Sequence, residues 1–230
     1  MSRVLHPLLV SIAVLGLGLS LWLALAWAPV EARMGVVQKI FYFHVPSAYS
    51  MYLSWAVCTV ASIVYLARRS PRWDALARSA AEIAMVFAAA VMITGPLWGR
   101  KSWGAYWSWD PRLTSTLLFT LIVAAYNLLR ARGSGEAERR FSAALAIVGA
   151  CVVPIIHISV QKWRGQHPTV IGSGGGGLTF EMGVTFAVSM VAFTLLFAVL
   201  LIQRHALERQ RHRIAELEER ITVEGPEARE

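Results

Sequence analysis

Long apolar runs alternate along this chain with short polar segments that are mostly basic. Six of the runs reach the ~20 residues that an α-helix needs to cross the hydrocarbon core of a bilayer. Polarity does not alternate from residue to residue within them, which favours helices over the strands of a membrane barrel. We therefore predict an all-α integral membrane protein. Its six transmembrane helices are expected near residues 8–28, 47–67, 79–97, 113–129, 141–160 and 182–202.

The composition excludes several classes of protein. Hydrophobic residues make up 56% of the 230 positions and charged residues only 16%, whereas soluble domains average roughly 45–50% and about 25%. This excludes a disordered chain, a secreted disulfide scaffold and an ordinary cytosolic enzyme. The net charge of +8 raises the question of nucleic-acid binding. The basic residues lie in short clusters between the spans, where membrane topology explains them, so we expect membrane lipid as a partner and no nucleic acid.

The distribution of basic residues predicts the orientation. On the side that carries both termini lie 15 of the 22 Lys and Arg residues, and the positive-inside rule places that side in the cytoplasm. The loops 29–46, 98–112 and 161–181 would then face the periplasm from a bacterial inner membrane. Ala24-Leu25-Ala26 resembles a signal cleavage site, and cleavage of the first span stays open. Because its apolar run is longer than a signal core, we interpret it as a span.

The sequence divides into two regions. Residues 1–203 form the predicted six-helix transmembrane domain, and residues 204–230 form a charged cytoplasmic helical tail. Leu207, Ile214 and Ile221 recur in the tail every seven residues among Arg and Glu. This spacing is compatible with a helix that packs on a partner and also with a solvated charged helix.

The second outward segment, 98–114, contains four of the nine tryptophans. An interfacial aromatic belt needs fewer rings per helix end, so this density favours a platform for a flat, apolar, polarisable ligand. Trp103 and Trp107 are four residues apart and would share a face if the segment is helical. The predicted platform consists of Trp98, Trp103, Gly104, Tyr106, Trp107, Trp109 and Asp110.

The residues that follow the platform predict a helix start and an anion site. Asp110 is suited to cap a helix, and Pro111 to occupy its first position. Arg112, Arg100 and Lys101 lie beside the platform. They are candidates for pairing with ligand carboxylates, which Arg can do bidentately. The alternative is snorkelling of basic side chains to the interface, and for Lys101 it is the better interpretation.

Three histidines lie at or near the outward face. His44 precedes the second span, with Pro46 in the first helical turn. His167 follows the fifth span, and His157 lies just inside its end. Imidazole binds zinc, copper and haem iron, but the sequence has no accompanying thiolate or carboxylate cluster, which argues against zinc. An aromatic surface with one imidazole on each side of an iron favours haem, with His157 as a fallback ligand. A merely hydrogen-bonded histidine is the alternative.

The motif Trp103-Gly-x-x-Trp107-x-Trp109-Asp110 resembles the tryptophan-rich (WWD) signature of haem-handling membrane proteins of cytochrome c assembly. The chain is most similar to the haem exporter protein C (CcmC) family over nearly its whole length, including a His-Val-Pro in the first outer loop and a Trp-x-x-x-His in the third. Two features depart from the family pattern. The third loop reads Trp-Arg-Gly-Gln-His-Pro instead of Trp-Asn-Thr-Leu-His-Gln, and Tyr106 stands where Trp is common.

The resemblance implies a function in cytochrome c-type biogenesis. It implies that haem b binds transiently and non-covalently at the periplasmic face, with His44 and His167 matching the family's axial ligands. It also implies delivery of haem to a periplasmic chaperone (CcmE) for covalent attachment, a small membrane partner (CcmD), and an ABC transporter pair (CcmA and CcmB). The sequence has no ATP-binding motif, which fits that division. We expect a non-enzymatic carrier, since no acid–base pair for forming the haem–chaperone bond stands out.

Two other functions remain open. A b-type membrane electron-transfer cytochrome usually holds its ligands within the spans, and here His157 is the one histidine predicted inside a span. A pore or transporter usually carries ionisable residues inside its helices. Only Glu82 and Glu181 lie near span starts in this sequence.

Overall fold

Six long helices make up most of the computed structural model, which describes residues 5–133, 135–163, 167 and 177–224. All six are long and apolar enough to cross a membrane, so the prediction of six helical spans is confirmed. The helices are α1 (Leu5–Trp22), α2 (Phe41–Arg68), α3 (Pro71–Trp103), α4 (Pro111–Arg132), α5 (Glu136–Lys162) and α6 (Phe180–Glu224). A π-helical turn, Leu23–Trp27, extends α1, and a 3₁₀ turn, Val36–Ile40, leads into α2.

Local sequence accounts for several helix ends. Pro71 and Pro111 occupy the first turns of α3 and α4, where proline's missing N–H costs nothing. The Asp110 side chain accepts hydrogen bonds from the backbone N–H groups of Arg112 (2.9 Å) and Leu113 (3.3 Å), which confirms the predicted cap. Helix α3 ends at Trp103 and is followed by Gly104, whose φ of +83° suits a residue without a side chain.

Three helices extend further than hydropathy predicts. Helix α2 begins at Phe41 because the 3₁₀ turn precedes it, so His44 lies inside the helix rather than before it. Pro46 is likewise internal rather than part of the first turn. Helix α3 continues to Trp103, so the first part of the segment 98–114 is helical. Helix α6 runs without a break past residue 203 to Glu224, while residues 225–230 of the predicted tail lie outside the described residues.

Small and aromatic side chains form the core. Ala77, Ala80, Ala84 and Ala88 of α3 are all buried, and small residues at such spacing let membrane helices approach closely. The ring of the buried residue Trp55 meets the rings of Phe119 and Tyr126 edge-on, with centroids 5.5 and 5.8 Å away. The same indole lies across Gly149 of α5, where a Cβ would fall 2.7 Å from it. A side chain at position 149 would therefore require the indole of Trp55 to move.

Charged side chains hold the helices together at one end of the bundle. The carboxylate of Asp74 (α3) lies 2.6 Å from Arg130 (α4), with both side chains at most 3% exposed. Glu208 (α6) accepts from Arg78 and from Arg204, each at 2.8 Å. We call this the Asp74 end, and the opposite end, which carries His44, Trp103 and His167, the His44 end.

Candidate functional site

A cavity of about 310 Å³ lies at the His44 end, between α2, α3, α4 and α5. This volume falls within the range of small-molecule sites, roughly 300–1,000 Å³. Three histidines, three tryptophans and one arginine are among the residues that line it. They are His44, His157, His167, Trp98, Trp103, Trp107 and Arg112. The structure therefore brings together a histidine of α2, a histidine of α5, His167 beyond α5 and three tryptophans of the segment 98–114.

The hydrogen bonds of His44 determine which ring nitrogen carries its proton. His44 Nδ1 lies 2.8 Å from Thr94 Oγ1, and that hydroxyl donates its one proton to the carbonyl of Ala90 at 2.7 Å. Thr94 must therefore accept from His44, so the proton is on Nδ1. Nε2 then keeps its lone pair. The hydrogen bond from Nδ1 to Thr94 orients the ring, as a hydrogen bond from the other ring nitrogen does in metal-ligating histidines. Gly95 leaves room for this ring, since a Cβ there would lie 3.3 Å from Cε1 of His44.

His157 has the same tautomer. Its Nδ1 donates to the carbonyl of Val153 at 3.1 Å, which leaves the lone pair on Nε2. Its ring lies 5.2 Å from that of Tyr52, two turns further along α2 than His44. His157 is thus a second imidazole at the cavity with an available lone pair.

His167 differs from the other two. Nη1 of Arg112 lies 3.1 Å from His167 Nδ1. Guanidinium groups only donate, so Nδ1 of His167 accepts and the proton of the neutral ring is on Nε2. Nε of Arg112 also donates to the carbonyl of Ile156, at 3.4 Å. Arg112 thereby ties His167 to α4 and α5.

The buried indole of Trp98 contacts two of the imidazoles. It meets His44 edge-on at 5.6 Å and His167 edge-on at 6.2 Å. Its Nε1 donates to the sulfur of Met34 at 3.4 Å, which fixes the ring. His44 on α2 and His167, which follows α5 in the chain, therefore contact the same aromatic side chain. Their role as iron ligands stays a prediction.

Trp103 and Trp107 form another part of the cavity wall. The indole of Trp103 lies against Gly99, where any Cβ would overlap the ring. Its Nε1 is buried and has no hydrogen-bond partner among the described residues. Helix α3 ends at Trp103, so the two tryptophans do not share a helical face. They reach the cavity because the chain turns back between them.

The rest of the predicted platform lies outside the cavity lining. Trp109 is 77% exposed and meets Trp107 edge-on at 5.9 Å. Tyr106 is 58% exposed and lies 5.8 Å from the guanidinium of Arg100. That guanidinium also donates to the carbonyl of Gly104. The other residues of the prediction outside the lining are Lys101, which is exposed, and Asp110, which caps α4.

Sequence reasoning missed two residues of the site. Thr94 sets the tautomer of His44, and Tyr52 packs against His157. Both lie inside apolar spans. Hydropathy averaged over a span reports the length of the apolar run and does not distinguish single polar side chains within it. The signal available in the sequence was the Thr94-Gly95 pair, a small polar residue and a glycine one helical turn before Trp98.

Comparison with known proteins gives one family. The sequence profile of heme exporter protein C matches residues 1–220. Heme exporter protein C of Bradyrhizobium diazoefficiens is 37% identical over 220 residues, covering 94% of this chain and 83% of the relative. The Rhodobacter capsulatus protein of the same name is 31% identical over 204 residues, 84% of this chain and 82% of the relative. The Escherichia coli protein is 33% identical over 159 residues, 68% and 64%. The chain belongs to the heme exporter protein C family.

Proposed function

We propose that this chain binds haem at the His44 end and delivers it to a periplasmic haem chaperone during cytochrome c biogenesis. Haem is the cargo, not a resident cofactor. The observation that carries the proposal is the cavity that His44 and His167 both line, with Trp98 in edge-on contact with each of them. His44 keeps its Nε2 lone pair there, in the neutral form that ligates iron.

The donor set suits haem better than a bare metal ion. Among the described residues, no group of three or more His, Cys, Asp or Glu side chains is placed to hold a metal. A structural or catalytic zinc needs three or four protein ligands. Haem iron is already bound by the porphyrin nitrogens and needs only axial ligands. Two imidazoles that reach the cavity from different elements meet that need, and we assign the axial positions to His44 and His167.

The cavity wall matches the two kinds of surface on a haem. Trp98, Trp103 and Trp107 offer aromatic rings for the apolar macrocycle. We assign the propionates to Arg112, whose guanidinium lies at the cavity. Arg100 is already engaged by Gly104 and Tyr106. Since the sequence has no Cys-x-x-Cys-His, the haem b is held non-covalently.

The positions of the charges support an inner-membrane protein whose His44 end faces the periplasm. The arginines at the ends of α2, α4 and α6 and at the starts of α3 and α5 belong to the Asp74 end, which is then cytoplasmic. The chaperone (CcmE) would meet the opposite end. CcmD would stabilise the complex in the membrane, and CcmA and CcmB would supply the energy of ATP, for which this sequence has no binding motif.

Haem binding is tested by purifying the protein in detergent and measuring bound haem by absorbance. We expect His44→Ala and His167→Ala each to lower the haem content. His205→Ala is the matched control, because His205 lies on α6 at the Asp74 end, next to Arg204, and its loss should leave haem unchanged. Unchanged haem content in both cavity variants would reject the proposed ligands.

Delivery is tested separately by co-expressing the chaperone and measuring its covalent haem adduct. Wild-type protein should support the adduct, and His44→Ala should not. An adduct that forms equally well without this chain would reject the delivery function even if haem binding is confirmed.

A further inference from the structure

The side chain of Arg112 occupies the one lone pair that His167 has to offer. A neutral imidazole carries a proton on one nitrogen and a lone pair on the other. Nδ1 of His167 accepts from Nη1 of Arg112 at 3.1 Å, so the proton is on Nε2. Neither nitrogen can bind iron in this arrangement. His44 and His157, in contrast, use Nδ1–H to donate and keep Nε2 available.

The hydrogen-bond partners of Arg112 are unusual for a half-buried arginine in this protein. Its guanidinium donates to the carbonyl of Ile156 and to an imidazole, and both groups are neutral. Arg78, Arg130 and Arg204, which are also largely buried, each bind a carboxylate. A carboxylate adds a full negative charge that an imidazole lacks, and it can accept two N–H groups of a guanidinium at once. An anionic group that enters the cavity should therefore displace the imidazole from Arg112.

We propose that Arg112 is a positioning residue that keeps His167 from ligating iron until a carboxylate of the bound porphyrin takes its guanidinium. This inference rests on the proposed function, because it concerns the second axial bond to the same haem. The exchange needs no net proton transfer. The guanidinium stays charged, the imidazole stays neutral, one N–H···N bond breaks, and the released nitrogen lone pair forms the bond to iron. Ligation by His167 thereby depends on the carboxylates, while ligation by His44 does not.

Haem and haem dimethyl ester separate the two steps, because the ester has the same iron and macrocycle but no carboxylates. Each is bound to the purified protein, and the spin state is measured by absorbance and electron paramagnetic resonance. With haem, wild-type protein should give a low-spin, six-coordinate signal. With the ester it should lose most of that signal and become high-spin. In Arg112→Met, which cannot hold the imidazole, both porphyrins should give the same low-spin signal.

Arg100→Met is the matched control, because Arg100 lies at the same end but contacts Gly104 and Tyr106. It should behave as wild type with both porphyrins. A low-spin ester complex in the wild-type protein overturns the role of Arg112 and leaves the proposed function standing. Failure of wild-type protein to bind either porphyrin overturns the proposed function.

A measurement without porphyrin tests the contact itself. In protein labelled with ¹⁵N-histidine, the His167 signal, assigned by its loss in His167→Ala, should show protonated Nε2 and hydrogen-bonded Nδ1. The Nδ1 resonance should shift in Arg112→Met and stay in place in Arg100→Met. An unchanged His167 signal in Arg112→Met contradicts the proposal. This readout also shows whether the variant is folded, since the signal of His44 should be preserved.

Discussion

The two ends of the helix bundle treat buried arginine in opposite ways. At the Asp74 end, Arg130 lies 2.6 Å from Asp74 and Arg78 lies 2.8 Å from Glu208. At the His44 end, the guanidinium of Arg112 donates to a backbone carbonyl and an imidazole, at the wall of a cavity. The first end contains its own counter-charges. At the second end Arg112 donates no hydrogen bond to a carboxylate in the contacts described above, and Asp110, whose charge acts on Arg112, uses its side chain to cap α4.

Under the proposed function, the difference distinguishes an end that stabilises the bundle from an end that binds haem. A buried charge is costly unless an opposite charge and hydrogen bonds compensate it. The Asp74 end supplies the opposite charge, while Nε and Nη1 of Arg130 have no hydrogen-bond partner among the described residues. The His44 end also holds the buried Nε1 of Trp103, which has no partner among the described residues. Buried polar atoms without a partner thus occur at both ends, and the ends differ in what their arginines bind: carboxylates at the Asp74 end and neutral groups in the case of Arg112. Substitutions at the Asp74 end should therefore cost stability, and those at the His44 end should cost haem binding.

The largest effect is expected from Asp74→Ala, which leaves Arg130 buried without its carboxylate. Removing one partner of a buried pair costs about 3–5 kcal/mol of unfolding free energy, measured by denaturation in detergent. Haem bound per folded molecule should not change. The double variant Asp74→Leu/Arg130→Met should recover much of the stability because it removes both charges. If the single variant unfolds like wild type, the ion pair does not hold this end together.

Gly99→Ala places a Cβ where the indole of Trp103 lies. Overpacking of this kind costs about 1–3 kcal/mol, and displacement of the ring should also weaken haem binding, measured by titration. Gly183→Ala in α6 is the control, because a Cβ there meets nothing within 4 Å. Equal haem affinity in the two variants would show that the position of Trp103 is immaterial to the site.

Thr94→Val removes the hydroxyl that accepts from His44 Nδ1 and retains the shape of the side chain. Loss of such a supporting contact typically weakens metal binding by about 10–100-fold, so we expect a decrease of that size in haem affinity. Stability should change far less than in Asp74→Ala. Thr94→Ser keeps the hydroxyl and should bind haem as wild type does. Wild-type affinity in Thr94→Val would mean that the ring of His44 needs no orientation from α3.

The smallest effect is expected from Arg69→Ala. Arg69 pairs with Glu136 at 3.0 Å, but both side chains are about half exposed. Exposed pairs contribute roughly 0.2–1 kcal/mol. Thermal denaturation of Arg69→Ala and of Asp74→Ala should therefore be compared. The comparison tests whether the stability of the Asp74 end comes from burial of its ion pairs and not from their mere presence. A loss as large as that of Asp74→Ala would refute this distinction.

The sequence predicted correctly the features that depend on interactions between neighbouring residues. A span requires an apolar run of a certain length, and all six runs form helices. The Asp110 cap depends on residues within three positions of it. The helix starts were less accurate. Helix α2 begins before His44 because the 3₁₀ turn of residues 36–40 joins directly to it, and hydropathy does not register such a turn.

Predictions about the site were partial because helix packing selects which side chains meet. The tryptophan motif supplies Trp103 and Trp107 to the cavity, whereas Trp109 of the same motif is 77% exposed. Thr94 enters the site through its contact with His44, fifty residues away in sequence. A pattern of residue types does not predict how α3 is rotated against α2, and this rotation brings Thr94 and His44 together.

By itself the sequence determined the membrane class, the six helices, the family and the residue types that the site needs, because apolar length and short motifs are properties of neighbouring residues. Only the tertiary structure decided that His44, His157 and His167 line one cavity, that Arg112 holds His167, and that Asp74 is paired with Arg130. These contacts join helices that are distant in sequence. Their formation depends on how the small residues of α3 and the aromatic rings around Trp55 let the helices pack.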